Sequence, residues 1–393
     1  MTSPANSYSY HPETPPRPGE ILKEELDAQQ VSQADLARRT GLSTKHINQM
    51  IQGVAALTPD TAVLLERATG VAAETWNQLE AAWQTHQSAL EDQRKLADKV
   101  GWISKFPLPF LKRVNVIEDT EPTLENLKKI LAFFGVATPD VAEQAWREYR
   151  AAFRRSALVE GDGYSIATWL RLCEIRARGI KCAPYQRERL VAALPELRSL
   201  TLRTPDAWQE QLPSRCAELG IALVFIPSLK NTHLSGVTRW LAPDKVMIGL
   251  SDRFKTDDTF WFSFFHELGH VLLHGKRLTF LDHRDGSDPA DEDSDDESPM
   301  LLHGDSKVPG ASTQAENEAD RFAQTTLIPE VKLQNFLDSF STPTEQQIVT
   351  FARDVGVAPS IVLGRLQHEK RVPWSFGRRL KTSIRFEDVK QLP

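Results

Sequence analysis

Two histidines four residues apart with a glutamate between them, His266-Glu267-Leu268-Gly269-His270, form the strongest chemical signal in this 393-residue sequence. At about 3.6 residues per turn, helical positions four apart lie one above the other, so both imidazoles can reach one cation from one face. Glu267 lies about a quarter-turn round, beside a solvent molecule on that cation rather than on the cation itself. Zn2+ suits two neutral nitrogens and one carboxylate with a fourth position open, and water in that position loses its proton near neutral pH. The motif points to zinc-assisted attack on a peptide carbonyl, with Glu267 accepting a proton and handing it to the leaving amine.

A third ligand is required. Glu316 is the best candidate, because it and Asp320 are four apart in Glu316-Asn317-Glu318-Ala319-Asp320 and share a helix face. Glu316 would bind the ion, and Asp320 would hydrogen-bond the far nitrogen of a ligand histidine, fixing its tautomer. Glu318 points elsewhere on that helix. His274, one turn beyond His270, invites assignment as a ligand, but three residues on one straight helix do not surround a tetrahedral ion, so it is expected behind the ligands. His283 and His303, near the ends of an acidic stretch, read as surface residues, as do His233 and Arg239, the nearest candidates for stabilising an oxyanion. A peptide substrate would be held extended along a strand edge, and HLSGVTRW (233–240) is the expected edge.

These residues must be positioned by ordered elements. TDDTFWFSFFHELGHVLLHG (256–275) is dense in aromatic and aliphatic residues and reads as a buried helix, and TQAENEADRFAQTTLIP reads as its partner helix. Burying two imidazoles and a carboxylate in so apolar a helix is costly without a purpose. Strand signals occur at GIALVFIP (220–227), HLSGVTRWLAP and DKVMIGLS. The C-terminal pair of short helices around Gly356 reads as a packing subdomain. A long acidic insert separates the two metal-helix segments: residues 282–297 hold nine acids and one base. It reads as a solvated, self-repelling loop.

A second constellation lies near the N-terminus. In residues 32–53, Leu36, Ala37, Leu42, Ile47 and Ile51 are spaced to pack two short helices across a tight turn at Gly41. Capping types open the neighbouring helices at Ser32, Ser43 and Thr58, and Gly41, Gly53 and Gly70 close them. The start of the second helix is then exposed, so Ser43, Thr44, Lys45 and Asn48 would face the major groove, and Gln33 would hold a phosphate. Charge is a poor footprint for this: residues 17–70 contain six bases and seven acids. DNA affinity would then require a dimer or help from the cluster at Arg147, Arg150, Arg154 and Arg155, which by itself reads more readily as a solvated helix face than as a nucleic-acid contact.

Composition bounds the rest. At 40% hydrophobic and 25% charged residues the chain is an ordinary folding sequence of two or three domains, which excludes collagen-like, disulfide-rich and wholly disordered classes. The net charge of −6 resides in the acidic insert; the remainder carries 46 bases against 44 acids. Three cysteines without a C-x-x-C pair suit a reducing compartment, and neither a membrane-spanning run nor a secretory leader is evident, so a cytoplasmic location is expected.

Residues 217–330, with FWFSFFHELGHVLLH and the E-x-E-A-x-x-F-A segment, resemble the ImmA/IrrE family of zinc metallopeptidases. Residues 17–85, with RPGEILKEEL and TPDTAVLLERATGVAAETWNQLEAAW, resemble lambda-repressor-like helix-turn-helix domains, specifically HigA-type antitoxins. The resemblance implies His266, His270 and Glu316 as ligands, Glu267 as catalytic base, and cleavage of a DNA-binding repressor or antitoxin in the cytosol. The long acidic insert departs from the family pattern. The expected fold is mainly α with a small α+β C-terminal domain: a helix-turn-helix bundle followed by a zincin-like metallopeptidase. The expected boundaries are a tail to 16, a DNA-binding domain over 17–86, a helical connector over 87–160, and the peptidase domain over 161–393 with its insert at 281–313. Expected partners are operator DNA, a protein substrate, a toxin and a second copy of the chain. One rival reading is a DNA-binding antitoxin or repressor whose metal domain only binds a partner; a second is a peptidase whose N-terminal domain binds protein instead of DNA.

Overall fold

The computed structural model describes residues 14–144, 146, 163–229, 232, 234–253, 255–274, 280–283 and 311–386. Expectations placed on residues 1–13, on Arg147, Arg150, Arg154 and Arg155, on His233, on His303 and on most of the acidic insert lie outside them. The chain divides into two compact units at Val100/Gly101.

The first unit is a bundle of helices, α1 (Pro18–Ala28), α2 (Gln33–Thr40), α3 (Thr44–Ile51), α4 (Pro59–Thr69) and α5 (Ala73–Ala97). The anticipated caps form: the Ser32, Ser43 and Thr58 side chains accept from the amides of Asp35, His46 and Thr61. Gly41 closes α2 at φ 73°, a left-handed conformation that a side chain would strain, and so makes the tight turn into α3. Leu36 and Ile47 are fully buried with Leu22, Leu65 and Trp76, and Ala37, Leu42 and Ile51 pack against that core. The boundary expected at 86 falls inside α5, a 25-residue helix.

The boundary falls at the first residue of a 3-10 turn (Val100–Lys105), and the second unit continues with the helices α6 (Leu108–Arg113) and α7 (Leu124–Phe134). Then come α8 (Gly163–Gly179), α9 (Arg187–Ser199) and α10 (Pro205–Glu218), followed by the strands β1 (Ile221–Phe225), β2 (Leu234–Ala242) and β3 (Lys245–Leu250). α11 (Asp257–Leu273) is the motif helix; after it come β4 (Phe280–His283), α12 (Ala311–Leu327), α13 (Glu330–Ser339), α14 (Glu345–Val355) and α15 (Pro359–His368). The strands form one sheet in the order β1-β3-β2-β4, with β1 parallel to β3 and β2 antiparallel to both its neighbours.

The sheet separates two helical layers. Gly249, whose register partner is Val237, faces Cys173 of α8, whereas the alternate positions Gly236 and Thr238 face Glu267 of α11. α11 is buried along almost its whole length because it is covered by the sheet on one side and by α12 and α15 on others. Its aromatic residues Phe260, Trp261, Phe264 and Phe265 join Trp208 in the main core.

The segment 233–240 is not the sheet edge, because β4 pairs with β2 from Leu234↔His283 to Thr238↔Phe280 and makes β2 internal. Four residues are too short a run for alternation to signal a strand, and the sequence of this one runs directly into the acidic stretch.

The N-terminal turn of α11 is anchored by a buried carboxylate. Asp257 Oδ2 accepts from the Ser360 hydroxyl at 2.7 Å and Oδ1 from the Thr382 amide at 2.8 Å. Burial pushes the Asp257 carboxyl above its usual range, against these hydrogen bonds and with help from neighbouring Asp258. A raised folded-state value means that its contribution to stability is complete at low pH and is lost as pH rises through that value. Asp257→Asn, which keeps a group able to meet both partners, is therefore expected to raise the melting temperature at pH 7 and to lose this advantage towards about pH 4. Thermal unfolding in the presence of a chelator checks this; an advantage that grows on acidification contradicts it.

Candidate metal centre

His266, Glu267 and His270 lie on α11 at 2%, 0% and 1% exposure, so the motif is set inside the core rather than on a surface helix. α12 crosses α11 at close range. A Cβ on Gly269 would meet the Ala319 Cα at 3.0 Å and its Cβ at 3.3 Å, so a glycine in the motif and an alanine opposite permit the approach. The buried alanines Ala315, Ala319 and Ala323 recur every four residues and form the face of α12 turned to α11. Glu316 and Asp320 stand beside that stripe on one flank.

This crossing brings three ligand atoms together. His266 Nε2 lies 3.1 Å and His270 Nε2 3.4 Å from Glu316 Oε2, and the two imidazole nitrogens are 2.9 Å apart. Donors held about 2.0–2.1 Å from a tetrahedral zinc ion sit roughly 3.3 Å from one another, so the set has the spacing such an ion needs. These are the residues of one group of potential ligands among the described residues.

Hydrogen bonding fixes what the ligand atoms present. Asp320 Oδ1 lies 2.8 Å from His266 Nδ1, and a carboxylate only accepts, so the proton belongs on Nδ1. A neutral His266 then turns a lone pair towards the Glu316 oxygen, an arrangement that calls for a positive charge between them. Burial lowers the basicity of His270, outweighing the opposing pull of Glu316, which favours the neutral ring that a metal requires. Burial opposes ionisation of Glu316, but the imidazoles of His266 and His270, which share a proton with it when no ion lies between them, outweigh burial and hold the carboxyl at about 2. Two imidazoles and a carboxylate in these states fit a divalent, nitrogen- and oxygen-seeking ion such as zinc.

Glu267 points to the sheet. Its Oε2 accepts from the Thr238 hydroxyl at 2.5 Å, and Oε1 would lie 2.4 Å from any Cβ placed on Gly236. Gly236 and Thr238 are residues that motif reading missed. Their signal was the two-residue spacing in a strand, which puts a residue with no side chain and a hydroxyl on one face. Arg239 is on the opposite face, 3.9 Å from Glu174 of α8, which removes it as an oxyanion donor. His274 stands behind His270, their Nδ1 atoms 2.9 Å apart. Glu318 does not point away from this assembly: its Oε2 is 3.2 Å from His274 Nε2. His283 ends β4 opposite Leu234.

In the first unit, Ser43, Thr44, Lys45 and Asn48 are exposed at the start of α3, and Gln33 is half-buried at the first position of α2. The Ser43 oxygen caps α3 through the His46 amide at 3.1 Å, a local task the groove-facing reading did not anticipate.

Two segments of the chain match known families. Residues 22–76 match the helix-turn-helix family profile, and residues 216–367 match the profile described as an IrrE N-terminal-like domain. An Escherichia coli protein named as an uncharacterized HTH-type transcriptional regulator, YddM, is 37% identical over 68 residues, 17% of this chain and 72% of that protein. The chain belongs to the helix-turn-helix regulators and carries an IrrE N-terminal-like domain. Among solved structures, it is similar to an addiction module antidote protein of a HigA family from Coxiella burnetii at 30% identity, covering 21% of this chain and 91% of that one with a TM-score of 0.20. It is also similar to an antidote protein of a plasmid maintenance system from Nostoc punctiforme at 28% identity, with 22% and 94% covered and a TM-score of 0.21. The IrrE-like domain thus contains the whole His266–His270–Glu316 cluster, and no described helix is long and apolar enough to cross a membrane.

The crossing at Gly269 can be tested directly. Gly269→Val adds branched volume where even Cβ is crowded by the α12 backbone. It is expected to destabilise the IrrE-like domain by about 1–3 kcal/mol in denaturant unfolding; unchanged stability would show that the two helices are not held at this distance.

Proposed function

We propose that this chain is a DNA-binding regulator whose IrrE-like domain is a zinc-dependent endopeptidase. The observation that carries the proposal is the meeting of His266 Nε2, His270 Nε2 and Glu316 Oε2 at 2.9–3.4 Å, with a buried acid on the same helix that is not one of the three. Zinc held there would polarise a scissile carbonyl and acidify a water molecule.

The chain's own residues supply the rest. Asp320 holds the His266 ring in the tautomer that offers Nε2, and His274 meets the outer nitrogen of His270. Glu267 takes a proton from the attacking water and returns it to the departing amine nitrogen. Thr238 and Gly236 fix the direction of its carboxylate, the first by a hydrogen bond and the second by leaving space. An extended peptide would add to the sheet along β4, the edge next to β2. The proposed substrate is a protein, a transcriptional repressor or antitoxin.

In the helix-turn-helix domain, Thr44, Lys45 and Asn48 would read the major groove, Ser43 would cap the helix while facing DNA, and Gln33 would meet a phosphate. With six bases against seven acids over residues 17–70, one domain attracts phosphates weakly, so a homodimer on an operator is the proposed bound form. A toxin is a further proposed partner of this domain, by its likeness to antidote proteins.

Three substitutions separate catalysis from metal or DNA binding. Glu267→Gln is expected to keep zinc while slowing cleavage of the substrate protein by about a hundred- to ten-thousand-fold. Undiminished cleavage by that variant refutes the endopeptidase. Lys45→Ala and Asn48→Ala are expected to weaken operator binding in a mobility-shift assay without affecting cleavage; unchanged operator affinity refutes the assignment of α3 as the reading helix.

A further inference from the structure

The acidic residues of α12 are divided between two flanks of the helix. Glu316 and Asp320 lie on one side of the alanine stripe that meets α11, and Gln314 and Glu318 lie on the other, each pair four residues apart. The first flank meets His266 and His270. The second meets His274, the residue at which α11 ends: it leaves the helix with extended backbone at φ −114° and ψ 161°, while its amide still bonds to the His270 carbonyl.

We infer that Glu318 is a positioning residue for His270, acting through His274. The inference rests on His270 being a metal ligand through Nε2, as proposed above. That use of Nε2 puts the ring proton of His270 on Nδ1, which is 2.9 Å from His274 Nδ1. Between two such nitrogens only one proton fits, so His274 Nδ1 accepts, and the proton of a neutral His274 sits on Nε2. That nitrogen is 3.2 Å from Glu318 Oε2, which accepts it.

Glu318 is itself held as an acceptor. Gln314 Nε2 donates to its other oxygen at 2.7 Å. A chain of donors therefore runs from the ligand nitrogen of His270 through two imidazoles to a carboxylate at the protein surface. His266 is oriented by a carboxylate directly, and His270 by a carboxylate one residue removed. Both carboxylates come from α12, so one helix supplies a ligand and orients both histidines.

Zinc affinity of the full chain, measured by competition with a chromophoric chelator, tests the inference, with cobalt(II) absorption as a second readout. Loss of outer partners of a ligand histidine costs about 10- to 100-fold in metal affinity. Glu318→Ala is expected to weaken zinc binding within that range and to shift the cobalt spectrum, while Glu318→Gln, which retains an acceptor oxygen, restores most of the affinity. In a His274→Phe background Glu318→Ala is expected to have no further effect. If Glu318→Ala leaves affinity and spectrum unchanged, or adds its full effect to His274→Phe, Glu318 does not act through His274. A wild-type chain that takes up no zinc overturns the ligand assignment as well, which distinguishes the two failures.

Discussion

The close crossing of α11 and α12 is the constraint on which the rest of the site depends. Neither helix holds enough ligands alone: α11 brings two imidazoles on one face, and α12 brings the carboxylate. They can meet only because Gly269 and the alanine stripe at Ala315, Ala319 and Ala323 let the backbones approach. Small residues here act through what they omit. A larger side chain at the crossing would hold Glu316 away from the two nitrogens it now approaches at 3.1 and 3.4 Å.

The same crossing explains how so polar a group is tolerated inside a core of phenylalanine and tryptophan. A buried imidazole or carboxylate is costly unless its polar atoms are met. One polar atom of each has a partner brought by a different element: Asp320 from α12 for His266, His274 from the end of α11 for His270, and Thr238 from β2 for Glu267. The sheet contributes space as well as a hydroxyl, since Gly236 admits the Glu267 carboxylate where any side chain would exclude it. The site is thus assembled from two helices and a strand, with the apolar surroundings sharpening every electrostatic contact within it.

Much of this was legible in the residues. Spacing of four on a helix identified His266, His270, Glu316 and Asp320 as sharing faces, and the structure brings all four together. The caps and the turn at Gly41 marked the short helices of the first unit. What the sequence concealed has common physical causes. β4 is too short to show alternation, so β2 reads as an edge from sequence alone. Glu318 lies off the face shared by Glu316 and Asp320 and so reads as pointing elsewhere, but His274 departs from the helix axis and meets the opposite flank. Gly236 and Thr238 depend on the pairing of a strand with a helix about thirty residues later, a relation that no local pattern encodes.

X-ray absorption on zinc-loaded protein is the most direct measurement of the central claim, that His266, His270 and Glu316 close around one ion. The account predicts one zinc per chain, two imidazole nitrogens and at least one carboxylate oxygen at about 2.0–2.2 Å, and loss of the oxygen contribution or of the zinc in Glu316→Ala. Sulfur in the coordination shell, or an unchanged spectrum in Glu316→Ala, would contradict it.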